Sequence, residues 1–409
     1  MFRVTFSFED CQSSIVAQTN KTKRRITIKS IYLDYLSAAS ILPEAYEGML
    51  PYLSESHGNP QSLHAWGKEA REAVEAARRE VALLIGADSG EIYFTSSGSE
   101  SNNWVVKGVS SFFRKKGNHI MTSAVEHVSL TNPLRTLMTQ GFAVTFLPVD
   151  ASGRMNPDDI ERNITERSLL LTFHHAQSEI GTIQPVKDLG EIARKSNLLF
   201  HLDGVAAAGL IPVDVKTLGV DFYTLSAQSV YGPKGIAALY IKKGRRLDRL
   251  IEGGNQEEGR RAGLENVPGI VGFGIAARHA REHLAERRAS LCARRDRLIQ
   301  GILSAVAGCH LTGDPVHRLP HHASFYFEGI EGEALVLLLA REGVAAATGS
   351  SCVSGAVKPP SVLTALGIPP VQARGSLVLT LGWKTTDEEI KEAVPIIAKS
   401  VEKLRRLNP

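Results

Sequence analysis

The sequence predicts an α/β fold, with a mostly parallel, doubly wound sheet in a large domain and a smaller α+β domain after it. Three observations carry that expectation. Short β-rich runs recur through the first half of the chain. Segments long enough for crossover helices separate several of them. From about Arg281 the texture changes to a charged amphipathic helix, Glu282 to Leu303, followed by mixed strands and helices.

In chain order, the first clear element is helical. Ala70 to Gly86, AREAVEAARREVALLIG, places apolar residues at helical spacing and ends on a glycine stop. The β-rich runs follow as Glu91–Phe94, His119–Thr122, Ala143–Phe146, Leu169–Thr172 and Leu198–Leu202. Ligands of an open parallel sheet bind beyond the carboxyl ends of its strands, so the polar residues just past these runs are the candidates.

Length and composition set the bounds. A chain of 409 residues, 43% hydrophobic, can bury a large core and suggests two domains. A formal net charge of +4 gives no global field for nucleic acid, and the short basic stretches Lys21–Arg25 and Glu286–Arg288 read as solvated surface. Four cysteines, Cys11, Cys292, Cys309 and Cys352, lie far apart without CxxC or His-rich spacing. That pattern argues against a disulfide framework or a zinc site and fits a reducing cytoplasm. No apolar run approaches the ~18 residues of a membrane span. Residues 1–28 are basic and Ser/Thr-rich, yet Glu9 and Asp10 and the lack of an apolar core set them apart from targeting segments. They read as an N-terminal extension.

Four strand ends carry suggestive groups. After Phe94 comes TSSGSESNN, Thr95 to Asn103, a hydroxyl-rich turn entering a helix. Its Gly98 and Ser99 would offer donors to a phosphate, or the turn would serve as a plain helix cap. After Met121 comes SAVEH with His127, a lone histidine with either a structural or a functional part. Asp203 follows Leu202, and a carboxylate there must be paired or hydrogen-bonded to stay charged. Either a protonated ring nitrogen or a buried hydroxyl network would serve. The fourth end is SAQSVYGPKG, Ser226 to Gly235, where Ser226 and Gln228 add possible phosphate donors.

Together these residues resemble the class V aminotransferase family, and within it the cysteine desulfurases of the NifS/IscS type. The markers run in the family's order: YLDYLSAAS from Tyr32, GNPQSLHAWG from Gly58, FTSSGSESNN from Phe94, SAVEHVSL from Ser123, QSEIGTIQPV from Gln177, HLDGVAAAG from His201, SAQSVYGPKG, GGNQEEGRRAGLENVPGIVGFG from Gly253 and TGSSCVSGAVKPPSVLTALG from Thr348. The resemblance implies a homodimeric fold-type I transferase dependent on pyridoxal phosphate (PLP), with a seven-stranded sheet. It places the large PLP domain at 45–285 and a small C-terminal domain at 286–409 with a cysteine loop at 348–355, and residues 29–44 join the small domain.

In that family a lysine holds PLP covalently, an aspartate keeps the pyridine nitrogen protonated, a histidine stacks on the ring, and a loop cysteine takes up sulfur as a persulfide. Carried across, Asp203, His127 and Cys352 match the last three roles. Gly98, Ser99, Ser226 and Gln228 match the phosphate cup. The departures fall on the same constellation. Ser229 stands where the lysine is expected and Gln228 where a histidine is. Ala206 replaces a glutamine, Ser178 an asparagine, Leu264 a threonine given by the partner subunit, and Val378 the arginine that clamps the substrate carboxylate. Lys234 matches a second lysine of the family's turn rather than a relocated anchor. Arg374, four residues before Val378, would share a strand face with it if the strand reached that far.

The resemblance therefore implies a cysteine desulfurase-like protein in sulfur mobilisation or iron–sulfur cluster assembly, handling sulfur through Cys352 but deficient in lysine-dependent chemistry. PLP is expected to be weakly and non-covalently held, or lost. Two alternatives stay open: a dimeric platform whose Cys352 co-ligates an iron–sulfur cluster with a scaffold partner, and an active cysteine desulfurase. The partners expected are a second copy and a sulfur-acceptor or scaffold protein.

Overall fold

The structure, a computed structural model, describes residues 30–349 and 359–407. After a short strand β1 (Ile31–Tyr32), the helices Pro43–Ser54 and Ala65–Leu84 precede the central sheet. The second helix starts five residues before the periodic run at Ala70, because the His64 side chain caps it by accepting from the Gly67 N–H. It stops where expected, at Gly86, whose φ of +69° is the left-handed conformation open to glycine. Both helices pack on the Val267–Glu282 helix.

The central sheet has seven strands: β2 (Ile92–Thr95), β3 (His119–Ser123), β4 (Ala143–Leu147), β5 (Ser168–His174), β6 (Leu199–Asp203), β7 (Phe222–Ser226) and β8 (Ala237–Ile241). They lie in the order β2-β8-β7-β6-β5-β3-β4, and β8 alone runs against its neighbours. Both faces are covered, so the middle strands are apolar almost throughout. Leu170, Leu171, Phe173, Phe200 and Leu202 are fully buried.

A second core forms around the antiparallel strands β9 (Cys309–Leu311), β10 (His322–Phe327) and β12 (Ser376–Thr380), in the order β12-β10-β9. The long helices Leu284–Ala305 and Asp387–Leu407 pack against each other beside it. Residues at the start of the described chain belong here. β1 pairs in parallel with β11 (Val344–Ala345), and Ile31 and Leu33 sit in one cluster with Phe325, Phe327, Leu377 and Ile397.

Two expectations change. Arg287 is not solvated surface: it is 9% exposed, donates to His279 Nδ1 at 2.8 Å and lies 5.1 Å over the Tyr231 ring. A cation on an aromatic face can be buried where a bare surface lysine cannot. Arg374 does not share a strand face with Val378, because β12 begins only at Ser376. It ends the short helix Pro370–Ala373 and approaches Glu331 at 3.8 Å. Among the described residues, no helix is long and apolar enough to cross a membrane, and no group of three His, Cys, Asp or Glu could hold a metal ion.

Candidate functional site

The site lies at the carboxyl ends of the middle strands. Asp203 closes β6, in register with His174 of β5 on one side and Thr224 of β7 on the other. Its Oδ1 accepts from the Val205 N–H at 3.0 Å and its Oδ2 from Asn102 Nδ2 at 2.7 Å. The residue is 7% exposed. Burial raises its carboxyl above the usual range, opposed by the Val205 and Asn102 hydrogen bonds and by the nearby His127. Among the described residues no cation pairs with it.

Asn102 comes from the Gly98–Phe112 helix, which starts just after β2. The hydroxyl-rich turn divides its labour. Ser97 caps the helix by accepting from the Glu100 N–H, and Glu100 reaches back to the Ser96 N–H at 2.8 Å while Arg261 donates to it at 2.9 Å. Thr95 and Ser101 pair their hydroxyls at 2.7 Å. Ser99 is left over: its hydroxyl has no partner among the described residues, and it lines a groove of about 360 Å³ with Asn103, Lys107 and Ser129. At Gly98 the helix comes so close to the strand ends that a Cβ would stand 2.7 Å from Val205 Cγ2. The turn thus caps its helix and also presents the free N–H groups of its first residues to the neighbourhood of Asp203.

His127 caps the next helix, Val128–Thr139, its Nδ1 accepting from the Ser129 N–H at 3.1 Å. The ring is exposed. Nδ1 also stands 2.8 Å from Ser129 Oγ, and Ser129 Oγ accepts from Asn102 Nδ2 at 2.8 Å. His127 and Asp203 therefore belong to one hydrogen-bonded group. Ser226 ends β7 beside it, and the tight turn Ala227–Val230 carries Gln228 and Ser229, all three half-buried. Tyr231, at φ +66°, closes that turn.

The remaining departures add no charge. Lys234 is committed elsewhere, donating to the Ala39 carbonyl at 3.1 Å. Ala206 and Val378 are buried, and Leu264 is 65% exposed. Ser178 presents its carbonyl to His322 Nε2 at 2.8 Å. Cys352 lies outside the described residues, as does all of 348–355 except Thr348 and Gly349.

The groups present fit the ring and phosphate of PLP. A buried carboxylate without a cation would be matched by a protonated ring nitrogen, and a helix N-terminus with a free serine hydroxyl would receive a phosphate. They do not fit its covalent anchor, since Ser229 offers a hydroxyl in place of an amine and Lys234 faces away onto Ala39.

Three further residues escape the sequence reading: Asn102 and Ser129 within this group, and Glu179 outside it. Asn102 carries a usable signal, because Val105, Val106 and Val109 follow it at helical spacing and all are buried, which puts its side chain on the inward stripe. Ser129 likewise shares a face with the buried Pro133 and Leu137 of its helix. Glu179 lies in QSEIG, but its environment comes from residues far along the chain. Its Oε2 is buried without a partner among the described residues, 2.8 Å from where a Cβ on Gly349 would stand. Burial pushes its carboxyl up to about 8.

Comparison with known proteins agrees with this geometry. Residues 31–392 match the family described as Aminotransferase class-V. The chain is 43% identical over 403 residues to a cysteine desulfurase IscS of Methanosarcina thermophila, covering 98% of each chain. It is 42% identical over 381 residues to a cysteine desulfurase IscS of Dictyoglomus turgidum, covering 93% of this chain and 97% of that one. A solved NifS-like protein superposes with a TM-score of 0.87 at 34% identity, covering 92% of this chain and all of the other.

Proposed function

Because the chain belongs to the class V aminotransferase family, as a relative of the NifS/IscS cysteine desulfurases, we propose that it acts in sulfur mobilisation as a persulfide-handling homodimer that binds PLP without a covalent anchor. One observation carries this reading. Both carboxylate oxygens of Asp203 are held by donors, while the turn that should supply an amine supplies Ser229 and its neighbouring Lys234 is tied to Ala39. A relic with no use for the cofactor has no reason to keep a buried, uncompensated carboxylate, which costs stability.

In this reading Asp203 holds the ring nitrogen protonated, Asn102 fixes the carboxylate, and His127 covers the ring. Gly98, Ser99, Ser226 and Gln228 hold the phosphate. When bound, PLP supplies an electron sink. No described residue supplies the proton-accepting amine or the arginine clamp for free cysteine. Sulfur instead arrives as a persulfide on a protein or small-molecule donor. The Cys352 thiolate attacks the terminal sulfur, the donor's S–S bond breaks, and the donor leaves as a thiolate. One S–S bond is exchanged for another, so no outside oxidant or reductant is needed. For the second copy, large apolar side chains stand exposed at Tyr46, Leu53, Leu63, Trp66 and Leu264. Gln61 reaches Glu265 at 3.4 Å, which brings the loops bearing Leu63 and Leu264 together.

The test is anaerobic incubation of the full chain with glutathione persulfide, followed by peptide mass mapping. One added sulfur on the Cys352 peptide, with little alanine formed from free cysteine, supports the proposal. Rapid turnover of free cysteine overturns it, and so does iron retained through Cys352 without sulfur uptake.

A further inference from the structure

We infer that Ser129 is a positioning residue that fixes His127 as an Nε2–H donor and ties it to Asp203 through Asn102. The inference deepens the reading of this site as a cofactor site, and it follows from counting hydrogens. Asn102 has two hydrogens on Nδ2. One goes to Asp203 Oδ2 at 2.7 Å and the other to Ser129 Oγ at 2.8 Å. The carboxylate sets the amide's orientation, since it can only accept. Ser129 Oγ therefore receives from Asn102, and its own hydrogen is free for His127 Nδ1, 2.8 Å away. The Ser129 backbone N–H is directed at the same nitrogen, at 3.1 Å. Two donors converge on Nδ1, so the neutral ring carries its proton on Nε2.

A helix cap alone would not need this arrangement. Capping uses only the backbone N–H of residue 129, which any residue but proline provides. The hydroxyl and its link to Asn102 are additional, and both Ser129 and Asn102 are buried while the ring they hold is exposed. The two sides of the site are thereby coupled. Asp203 faces one part of a bound ring as an acceptor, and His127 meets the ligand as a donor rather than as a base.

The experiment is long-range proton–nitrogen NMR on the full chain labelled with 15N-histidine, with His127 identified by the signal lost in His127→Gln. The parent should show His127 with Nε2 protonated and Nδ1 shifted as a hydrogen-bond acceptor. In Ser129→Ala the Nδ1 resonance should move toward that of a free ring, with the Nδ1–H tautomer rising severalfold, and Ser129→Thr should restore the parent pattern. A parent ring protonated on Nδ1 overturns the inference, as does a Ser129→Ala spectrum unchanged at His127. If Ser129→Ala does not fold, Ser129→Cys, whose thiol is a weak donor, must shift Nδ1 in the same direction. None of these readouts depends on sulfur transfer, so a Cys352 that takes up no sulfur would refute the proposed function and leave this result standing.

Discussion

Asn102 donates to Asp203 across 2.7 Å, and this contact joins the start of the Gly98–Phe112 helix to the end of β6. Removing the donor leaves a fully buried carboxylate oxygen unsatisfied, a loss of about 1–3 kcal/mol. Asn102→Ala should therefore be destabilised by that amount in urea. Asp203→Asn removes a charge that burial disfavours and keeps the Val205 N–H bond, but it turns an amide N–H2 toward the Asn102 donor, so the ligand-free protein should gain no stability in urea at neutral pH. The same variant should bind PLP at least tenfold more weakly, read by quenching of intrinsic fluorescence. Weaker folding together with unchanged PLP affinity would mean that Asp203 is a structural residue.

Glu179 gives the chain a pH dependence of definite sign. Burial pushes its carboxyl up to about 8, against about 4.3 for an exposed glutamate. The folded state therefore holds a proton that the unfolded state has lost, and stability falls as pH rises between those two values. Glu179→Gln removes the effect. The variant should match the parent near pH 4, grow relatively more stable as pH rises, and lead by a few kcal/mol near pH 8. Melting temperatures across that range test it, and parallel curves for the two proteins would sink the idea.

Ser229→Lys should place an amine in the turn after β7 and give a covalent PLP link that borohydride traps on residue 229. Turnover of free cysteine should stay low, because Val378 remains buried and uncharged. Lys234→Ala should leave PLP affinity unchanged and cost about 0.5–1.5 kcal/mol, the value of its single bond to the Ala39 carbonyl. Borohydride trapping on Lys234 in the parent would contradict this assignment.

How far these features could be read from sequence depends on what sets each of them. The run Leu198–Leu202 gives β6 to within a residue, because a strand buried on both faces reads as continuous apolar sequence. The reversed direction of β8 leaves no such mark, since Ala237–Ile241 would be equally apolar running either way. Asp203 illustrates the same limit at the site. Its need for partners follows from its place after an apolar strand, but the choice of Asn102 and Ser129 depends on how two helices dock. Glu179 lies beside Gly349, a neighbour far along the chain that tertiary folding alone brings near. Arg374 fails for a related reason. Four residues before Val378 means one strand face only if the strand extends there, and the chain is helical instead.

The last prediction concerns the cysteines. Sulfur uptake by exchange needs a thiolate, so a thiol's surroundings decide whether it can take part. Cys309, on β9, is half-buried, and burial pushes its thiol up to about 12, far from ionising at neutral pH. Cys292 is half-buried on the Leu284–Ala305 helix. Cys352 sits in the Gly/Ser-rich stretch TGSSCVSG, a composition suited to a reachable thiol. Cys309→Ser and Cys292→Ser should therefore take up sulfur from glutathione persulfide within about twofold of the parent, the spread expected of substitutions away from the chemistry. Cys11→Ser, in the N-terminal extension, should behave the same way. Cys352→Ser should fold like the parent yet lose at least nine-tenths of its sulfur uptake. It should also fail to complement a deletion strain. Full complementation by Cys352→Ser would remove sulfur handling from the proposed function and leave only a dimeric platform without a sulfur or metal ligand at that position.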